Sequence, residues 1–210
     1  MTETTTPGPA YRVCTSRLLI RCWQPRDAEM LKTAIDESLE HLRPWMPWAM
    51  DEPEDLQAKI DRLGRWRGMF DLGKDFVYGL FGPDEDIVLG SSGLHTRVGE
   101  GAREIGYWIH ADYANQGLAT EAAGALTRIA FEVDDVARVE IHCDPRNVRS
   151  AAVPRKLGFT HEATLRERVA DAEGEHHDSM IWSLFRAEYS VSPAHEIPVQ
   201  AWDAVGRKIL

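Results

Sequence analysis

An α+β domain is predicted for this 210-residue chain on three observations. Helical periodicity fills much of the first third, strand-like runs dominate from Phe76 onward, and only two later helical stretches, near residues 118–133 and 148–157, interrupt them. No internal repeat or long linker divides the sequence. Its length suits one domain that buries roughly 70% of its unfolded surface without a disulfide or metal staple. The expected organisation is a flexible tail over residues 1–10, one domain over 11–190, and an extension over 191–210 that packs on the same domain.

The tail is polar and carries Pro7, Gly8 and Pro9. A strand is expected at residues 16–23. Pro25 and Asp27 then introduce a helix with Met30, Leu31, Ala34 and Ile35 at helical spacing. Residues 39–48 read as a second short helix. Asp51 offers an N-cap three residues before Glu54, for a helix whose Leu56, Ile60, Leu63 and Met69 share a stripe and which ends near Gly73. Residues 76–81 and 87–94 flank the turn-forming segment Gly82-Pro83-Asp84-Glu85-Asp86 and should pair as an antiparallel hairpin. Residues 104–110 form another strand, followed by Ala114-Asn115-Gln116-Gly117-Leu118-Ala119-Thr120 and a helix that buries Ala122, Ala125, Leu126, Ile129 and Val133. Residues 139–143 form a strand, and the helix at 148–157 is stopped by Gly158. Strands at 159–165 and 177–184, separated by residues 171–175, complete the order.

Composition narrows the function. Lys and Arg number 24 against 34 Asp and Glu, a net charge of −10. Such a balance repels phosphate backbones and draws cations, so nucleic acid is not an expected partner. No run reaches the roughly 18 apolar residues of a membrane span, and the N-terminus has neither the basic start nor the apolar core of a leader. Cys14, Cys22 and Cys143 are odd in number and lack CxxC spacing, which disfavours a disulfide scaffold or zinc site and fits a reducing cytoplasm. His176, His177 and Asp178 do not make a metal site either, because adjacent strand residues point to opposite faces. No metal is expected.

Chemistry concentrates where a strand meets a glycine-bearing turn and a helix. The first turn of a helix offers free N–H groups and a partial positive charge, and Gly117 lets an anion approach the main chain. One glycine ahead of an Ala-rich helix is also ordinary chain geometry. A companion segment about 30 residues on, matching a strand-helix-strand unit, strengthens the reading.

That companion runs Asn147-x-x-Ser150-x-x-Val153-x-x-Lys156-Leu157-Gly158-Phe159. With Thr15-Ser16-Arg17-Leu18-Leu19-Ile20-Arg21, His41-Leu42-Arg43-Pro44-Trp45-Met46-Pro47-Trp48, and Glu104-Ile105-Gly106-Tyr107-Trp108 leading into Gln116-Gly117-Leu118-Ala119-Thr120-Glu121-Ala122, it covers residues 15–189. The combination resembles the Gcn5-related N-acetyltransferase (GNAT) family, in its RimJ/RimL-like ribosomal-protein N-terminal acetyltransferase branch. The resemblance implies a mixed, mainly antiparallel sheet flanked by helices and splayed between its fourth and fifth strands, here residues 104–110 and 139–143. It implies acetyl-CoA as co-substrate, with pyrophosphate on the amides of Asn115, Gln116, Gly117, Leu118, Ala119 and Thr120. Trp108, Ile109, His110, Asn147, Ser150 and Lys156 join this cofactor set. Ala114 departs from the Gln or Arg that opens the family's loop motif; the amides do not depend on that side chain.

Acetyl transfer to an amine needs a neutral nucleophile, a polarised carbonyl and a proton for the departing thiolate. His142, on the strand flanking the splay, is the first candidate base, with Glu104 second; each is alternatively a strand charge without a catalytic role. Many relatives place a Tyr acid where this chain has Pro154, so Ser150 is the candidate donor to the CoA sulfur. Trp45 and Trp48 are assigned to the acceptor pocket, and Trp66 and Tyr107 to the core. The expected acceptor is the α-amine of a protein or peptide N-terminus. A small amine such as an antibiotic or polyamine is the alternative, which the acidic run Asp51-Glu52-Pro53-Glu54-Asp55 would suit, and a non-catalytic CoA-binding protein is a third reading. Family members often dimerise, so a second copy is a candidate partner.

Overall fold

The computed structural model describes residues 8–171 and 174–210, so most of the expected tail and two residues of the 171–175 loop lie outside it. Ala10 is fully buried, and its carbonyl accepts from the Tyr78 hydroxyl at 3.0 Å.

The chain opens with a hairpin where the sequence predicts one strand. β1 (Arg12–Cys14) and β2 (Leu19–Cys22) are antiparallel. Thr15 turns the chain: its amide reaches the Leu18 carbonyl at 3.0 Å, and its hydroxyl accepts from the Leu18 amide at 3.0 Å. Ser16 and Arg17 therefore occupy a loop. Helix α1 (Ala28–Asp36) follows. The predicted helix over 39–48 stops early as α2 (Leu39–Leu42), with a separate 3₁₀ turn at Pro47–Met50, because Pro44 and Pro47 have no amide to donate. The cap of α3 (Leu56–Asp71) is Asp55, not Asp51; its carboxylate accepts from the Ala58 amide at 2.8 Å.

The acidic run before α3 is spent on structure. Lys59, fully buried on α3, pairs with Glu52 and lies 3.3 Å from Glu54, while Arg62 reaches the same two carboxylates at 3.2 and 2.6 Å. Burying these charges is tolerable because each has an opposite partner.

The remaining strands are β3 (Phe76–Phe81), β4 (Val88–His95), β5 (Ala102–Ile109), β6 (Arg138–Cys143), β7 (Thr160–Ala170), β8 (His176–Phe185) and β9 (Gln200–Trp202). Helix α4 (Leu118–Glu132) joins β5 to β6, α5 (Val148–Lys156) joins β6 to β7, and α6 (Arg186–Tyr189) follows β8. They form one nine-stranded sheet in the order β7-β8-β6-β5-β4-β3-β2-β1-β9, in which the C-terminal β9 pairs with β1. Every neighbouring pair is antiparallel except β5 and β6, as the crossover through α4 requires.

Alternation along the strands sorts side chains onto two faces. Ile105, Ile141 and Val139 join α4 in one core; Trp108 and Val88 join α1, Leu63 of α3 and the Trp23 side chain in the other. β5 and β6 pair only at Ala102–Arg138, Arg103–Val139 and Glu104–Glu140, then separate. The expected splay is thus present, though between the fifth and sixth strands, since β1 adds a strand ahead of it. No helix among the described residues is long and apolar enough to cross a membrane.

Candidate active site

Two clefts meet where β5 and β6 part. One, of about 620 Å³, runs along the starts of α4 and α5. The other, of about 650 Å³, lies on the α1 and α3 face. Both are lined by Trp45, Tyr107, Trp108, Asn147 and Ser150, so a molecule in one reaches a molecule in the other.

The first cleft begins at the predicted anion loop. Asn115 and Gly117 take positive φ of 62° and 82°, which turns the chain so that α4 starts at Leu118. The amides of Leu118, Ala119 and Thr120 form its first turn and have no partner within the helix. The loop is anchored from β1–β2. Arg17 donates to the Gln116 carbonyl at 2.8 Å and to Glu121 at 2.6 Å, and Glu121 also accepts from the Thr15 hydroxyl at 2.6 Å and the Arg17 amide at 3.0 Å. Burial would raise the Glu121 carboxyl, but these donors hold it below its ordinary value. The motifs at 15–17 and 121 are therefore two halves of one clamp, joined across more than a hundred residues.

At the start of α5, Asn147 is the N-cap, accepting from the Ser150 amide at 3.0 Å. The Ser150 carbonyl would ordinarily bond the amide four residues on, but that residue is Pro154, which has none. Tyr107 supplies the donor instead: its hydroxyl is 3.1 Å from both the carbonyl oxygen and Oγ of Ser150. Sequence reasoning placed Tyr107 in the core; it is largely buried, yet it also lines both clefts. Burial raises its phenol well above the ordinary range, partly offset by the Ser150 bond. Pro154 in a helix was the signal that could have located it.

Beside the second cleft, His142, Glu104 and Glu140 project from β6 and β5 onto one face. His142 Nε2 is 2.6 Å from Glu140, and its Nδ1 is 3.8 Å from Glu104. Glu104 is gripped by Arg97 through two bonds, the Nε contact at 2.8 Å. Burial raises the Glu104 carboxyl, but Arg97, with His142 and His95, outweighs this and holds it below its ordinary value. Trp48 lies against Trp108 with ring centroids 6.3 Å apart, and Trp45 remains 37% exposed at the junction of the clefts. Trp66, expected in the core, also lines this cleft.

A match to the Acetyltransferase (GNAT) domain model spans residues 17–160. This chain belongs to the GNAT acetyltransferase family. The Escherichia coli [ribosomal protein uS5]-alanine N-acetyltransferase is 29% identical over 188 residues, covering 87% of this acetyltransferase and 94% of that protein. YdaF of Bacillus subtilis is 30% identical over 174 residues, covering 82% of this chain and 93% of its own. RimJ of Mycobacterium smegmatis, solved with CoA-disulfide, shares the fold at a TM-score of 0.77 and 22% identity, over 91% of this chain and 95% of that one.

The lining of the first cleft fits a ligand of the kind that RimJ of Mycobacterium smegmatis holds. Trp108, Ile109, Asn115, Gly117, Leu118, Ala119, Thr120, Asn147, Ser150 and Lys156 all line that cleft. His110 does not. It is 3% exposed, its Nε2 is 3.1 Å from Glu37 and its Nδ1 accepts from the Asp112 amide at 3.2 Å, so it caps the turn beyond β5 with both ring nitrogens engaged away from the cleft. The Gln116 side chain likewise turns back to the Asp112 carbonyl at 3.3 Å, leaving its amide as the part that can serve. His176, His177 and Asp178 separate as the strand alternation predicts: His177 pairs with Asp171 at 2.5 Å, while Asp178 accepts from the Glu167 amide at 3.1 Å. No cluster of three or more metal-ligating side chains occurs among the described residues.

Proposed function

We propose that this acetyltransferase transfers acetyl from acetyl-CoA to the α-amine of a protein or peptide N-terminus. The observation that carries the proposal is the likeness, over nearly the whole length of both chains, to an enzyme that acetylates a ribosomal-protein alanine. The acceptor cleft supports it. Four arginines, Arg43, Arg62, Arg97 and Arg146, line it against five carboxylates, so it lacks the strong negative field that would select a polyamine. Glu52 and Glu54, the acidic pair that favoured a small cation on sequence grounds, are occupied by Lys59 and Arg62.

In this reading the pyrophosphate rests on the amides of residues 115–120, with Lys156 as a nearby cation, and Asn147 orients the pantetheine arm. An anion at the start of α4 is favoured by about 0.3–1 kcal/mol from the helix dipole alone, before the amide bonds are counted. Trp45 and Trp48 wall the acceptor residue. The amine attacks the thioester carbonyl, an N–C bond forms and the C–S bond breaks. Ser150 donates its hydroxyl proton toward the departing sulfur and regains one from solvent in the cleft, while the Tyr107 hydroxyl, donating to the Ser150 carbonyl and in contact with Oγ, holds the serine in place. An α-amine, with a pKa near ~7.7, is partly neutral at pH 7, whereas a lysine at ~10.4 is almost wholly charged.

The test follows thiol release from acetyl-CoA with N-terminal peptides, polyamines and aminoglycosides as acceptors. Turnover is expected with free α-amine peptides and not with the same peptides blocked at the N-terminus. Turnover confined to the small amines would overturn the acceptor assignment.

A further inference from the structure

We propose that His95, oriented by Asp75, is the general base that takes the proton of the attacking amine. This rests on the amine-acetylating function but not on which amine is used. His95 ends β4 and faces the acceptor cleft. Its Nδ1 lies 3.0 and 3.1 Å from the two carboxylate oxygens of Asp75, on the turn between α3 and β3. A carboxylate only accepts, so Nδ1 carries the hydrogen and Nε2 presents its lone pair. Nε2 has no hydrogen-bond partner among the described residues.

The floor beneath the ring is built for it. Gly93 and Gly106 face each other across β4 and β5. A Cβ at Gly93 would stand 2.6 Å from His95 Nε2, and one at Gly106 would stand 3.5 Å away, so the imidazole lies over the strands in the space the two glycines leave. A base poised over the cleft with a carboxylate behind it is the arrangement general-base catalysis requires.

His142 differs in what stands before its second nitrogen. Its Nε2 is bonded to Glu140 at 2.6 Å, and its Nδ1, beyond hydrogen-bond distance of any partner among the described residues, has the Glu104 carboxylate 3.8 Å in front of it, where the amine would have to come. The charged groups around His95 are Asp75 ahead of β3, Glu104 of β5 with its partner Arg97, His142 and Glu140 of β6, and Arg62 of α3 on the same cleft. In the step itself, the amine nitrogen bonds to the thioester carbon, its proton passes to His95 Nε2, and the C–S electron pair leaves on the CoA sulfur.

The experiment compares His95→Gln, Asp75→Asn and His142→Gln in steady-state kinetics from pH 5 to 9, with whichever amine the wild type turns over. His95→Gln is expected to lower kcat about 100-fold with acetyl-CoA affinity unchanged, and to remove the acidic inflection in kcat, read at saturating amine so that titration of the free amine does not enter. Asp75→Asn should lower kcat with both KM values near wild type, because the acceptor that holds the hydrogen on Nδ1 and frees Nε2 is gone; a merely structural role would raise KM as well. His142→Gln should keep the inflection. Acetyl-CoA binding by calorimetry verifies that each variant is folded. Wild-type kcat in His95→Gln, or an inflection that survives there and vanishes in His142→Gln, overturns the proposal. An enzyme that uses only small amines defeats the N-terminal acceptor reading and leaves this comparison intact.

Discussion

The hydroxyl of Tyr107 stands 3.1 Å from the Ser150 carbonyl oxygen and 3.1 Å from its Oγ, so a strand of the sheet completes the first turn of α5. Pro154 makes this arrangement necessary, since it removes the amide that would otherwise bond the carbonyl. The residue standing where many relatives carry an acidic tyrosine thus leaves an acceptor that draws a different tyrosine, from β5, to the same serine.

Removing the phenol oxygen should affect both stability and rate. Tyr107→Phe leaves a half-buried carbonyl unpaired at a cost of about 1 kcal/mol. It should also slow kcat, because Ser150 loses its contact, while acetyl-CoA affinity stays close to wild type. Adding Pro154→Ala returns an amide to the carbonyl and should recover part of the stability but not the rate. A double-mutant cycle read by urea denaturation and by kcat separates the two effects. Additive stability changes would show that Pro154 and Tyr107 are unrelated.

Gly117 occupies a backbone region that L side chains rarely adopt, with φ of 82°, and stands at the first turn of α4. Gly117→Glu introduces strain of order 1–3 kcal/mol and places a carboxylate where phosphate is expected. Acetyl-CoA binding by calorimetry should fall below detection while the far-ultraviolet spectrum persists. Undiminished affinity would sink the phosphate-loop assignment.

Trp45 and Trp48 should differ in which substrate they affect. Trp45 lines both clefts and Trp48 only the acceptor cleft. Trp48→Ala is expected to raise the acceptor KM about tenfold with the acetyl-CoA KM unchanged, the loss of roughly 1.5 kcal/mol of apolar contact. Trp45→Ala should raise both. The two KM values, measured at saturating partner substrate, give the result directly.

Acid should destabilise the fold through its buried carboxylates. Glu52, Glu104 and Glu121 are each raised by burial but held, on balance, below the ordinary 4.5 by Lys59, Arg97, and Thr15 with Arg17 respectively. A depressed native value means that the stabilisation is complete above pH ~4.5 and is lost as pH falls through the native values. Asp134 works the other way, since burial raises it despite Arg103. Asp71, Glu85, Glu132, Asp144 and Asp203 are also held below their ordinary values, so eight carboxylates against one predict a net loss. Urea midpoints should ease downward below pH ~6.5, where burial disfavours charging His41, and drop more steeply below pH ~4.5, less so in Glu121→Gln. A midpoint independent of pH down to 3 would contradict the charge pairing described.

Much of the site was legible because its parts are contiguous in sequence. The strand, the Gly117 turn and α4 form one run, as do Asn147 and α5, and backbone geometry fixes their chemistry locally. The strand-by-strand reading failed where a side chain chose the local path. Thr15 closed a turn that took Ser16, Arg17 and Leu18 out of the expected strand, two prolines cut a helix short, and Asp55 took the cap expected of Asp51.

The sequence by itself determined the α+β order, the glycine-bearing turn ahead of α4 and the family, because periodicity, turn residues and motif spacing are one-dimensional. Only the tertiary structure decided which side chains meet. Register placed His95 over Gly93 and Gly106, the divergence of β5 from β6 joined two clefts at Tyr107, and the acidic run before α3 closed on Lys59 instead of facing the acceptor. Such pairings depend on distances between residues far apart in the chain, which hydrogen bonds and burial select only once the sheet has formed.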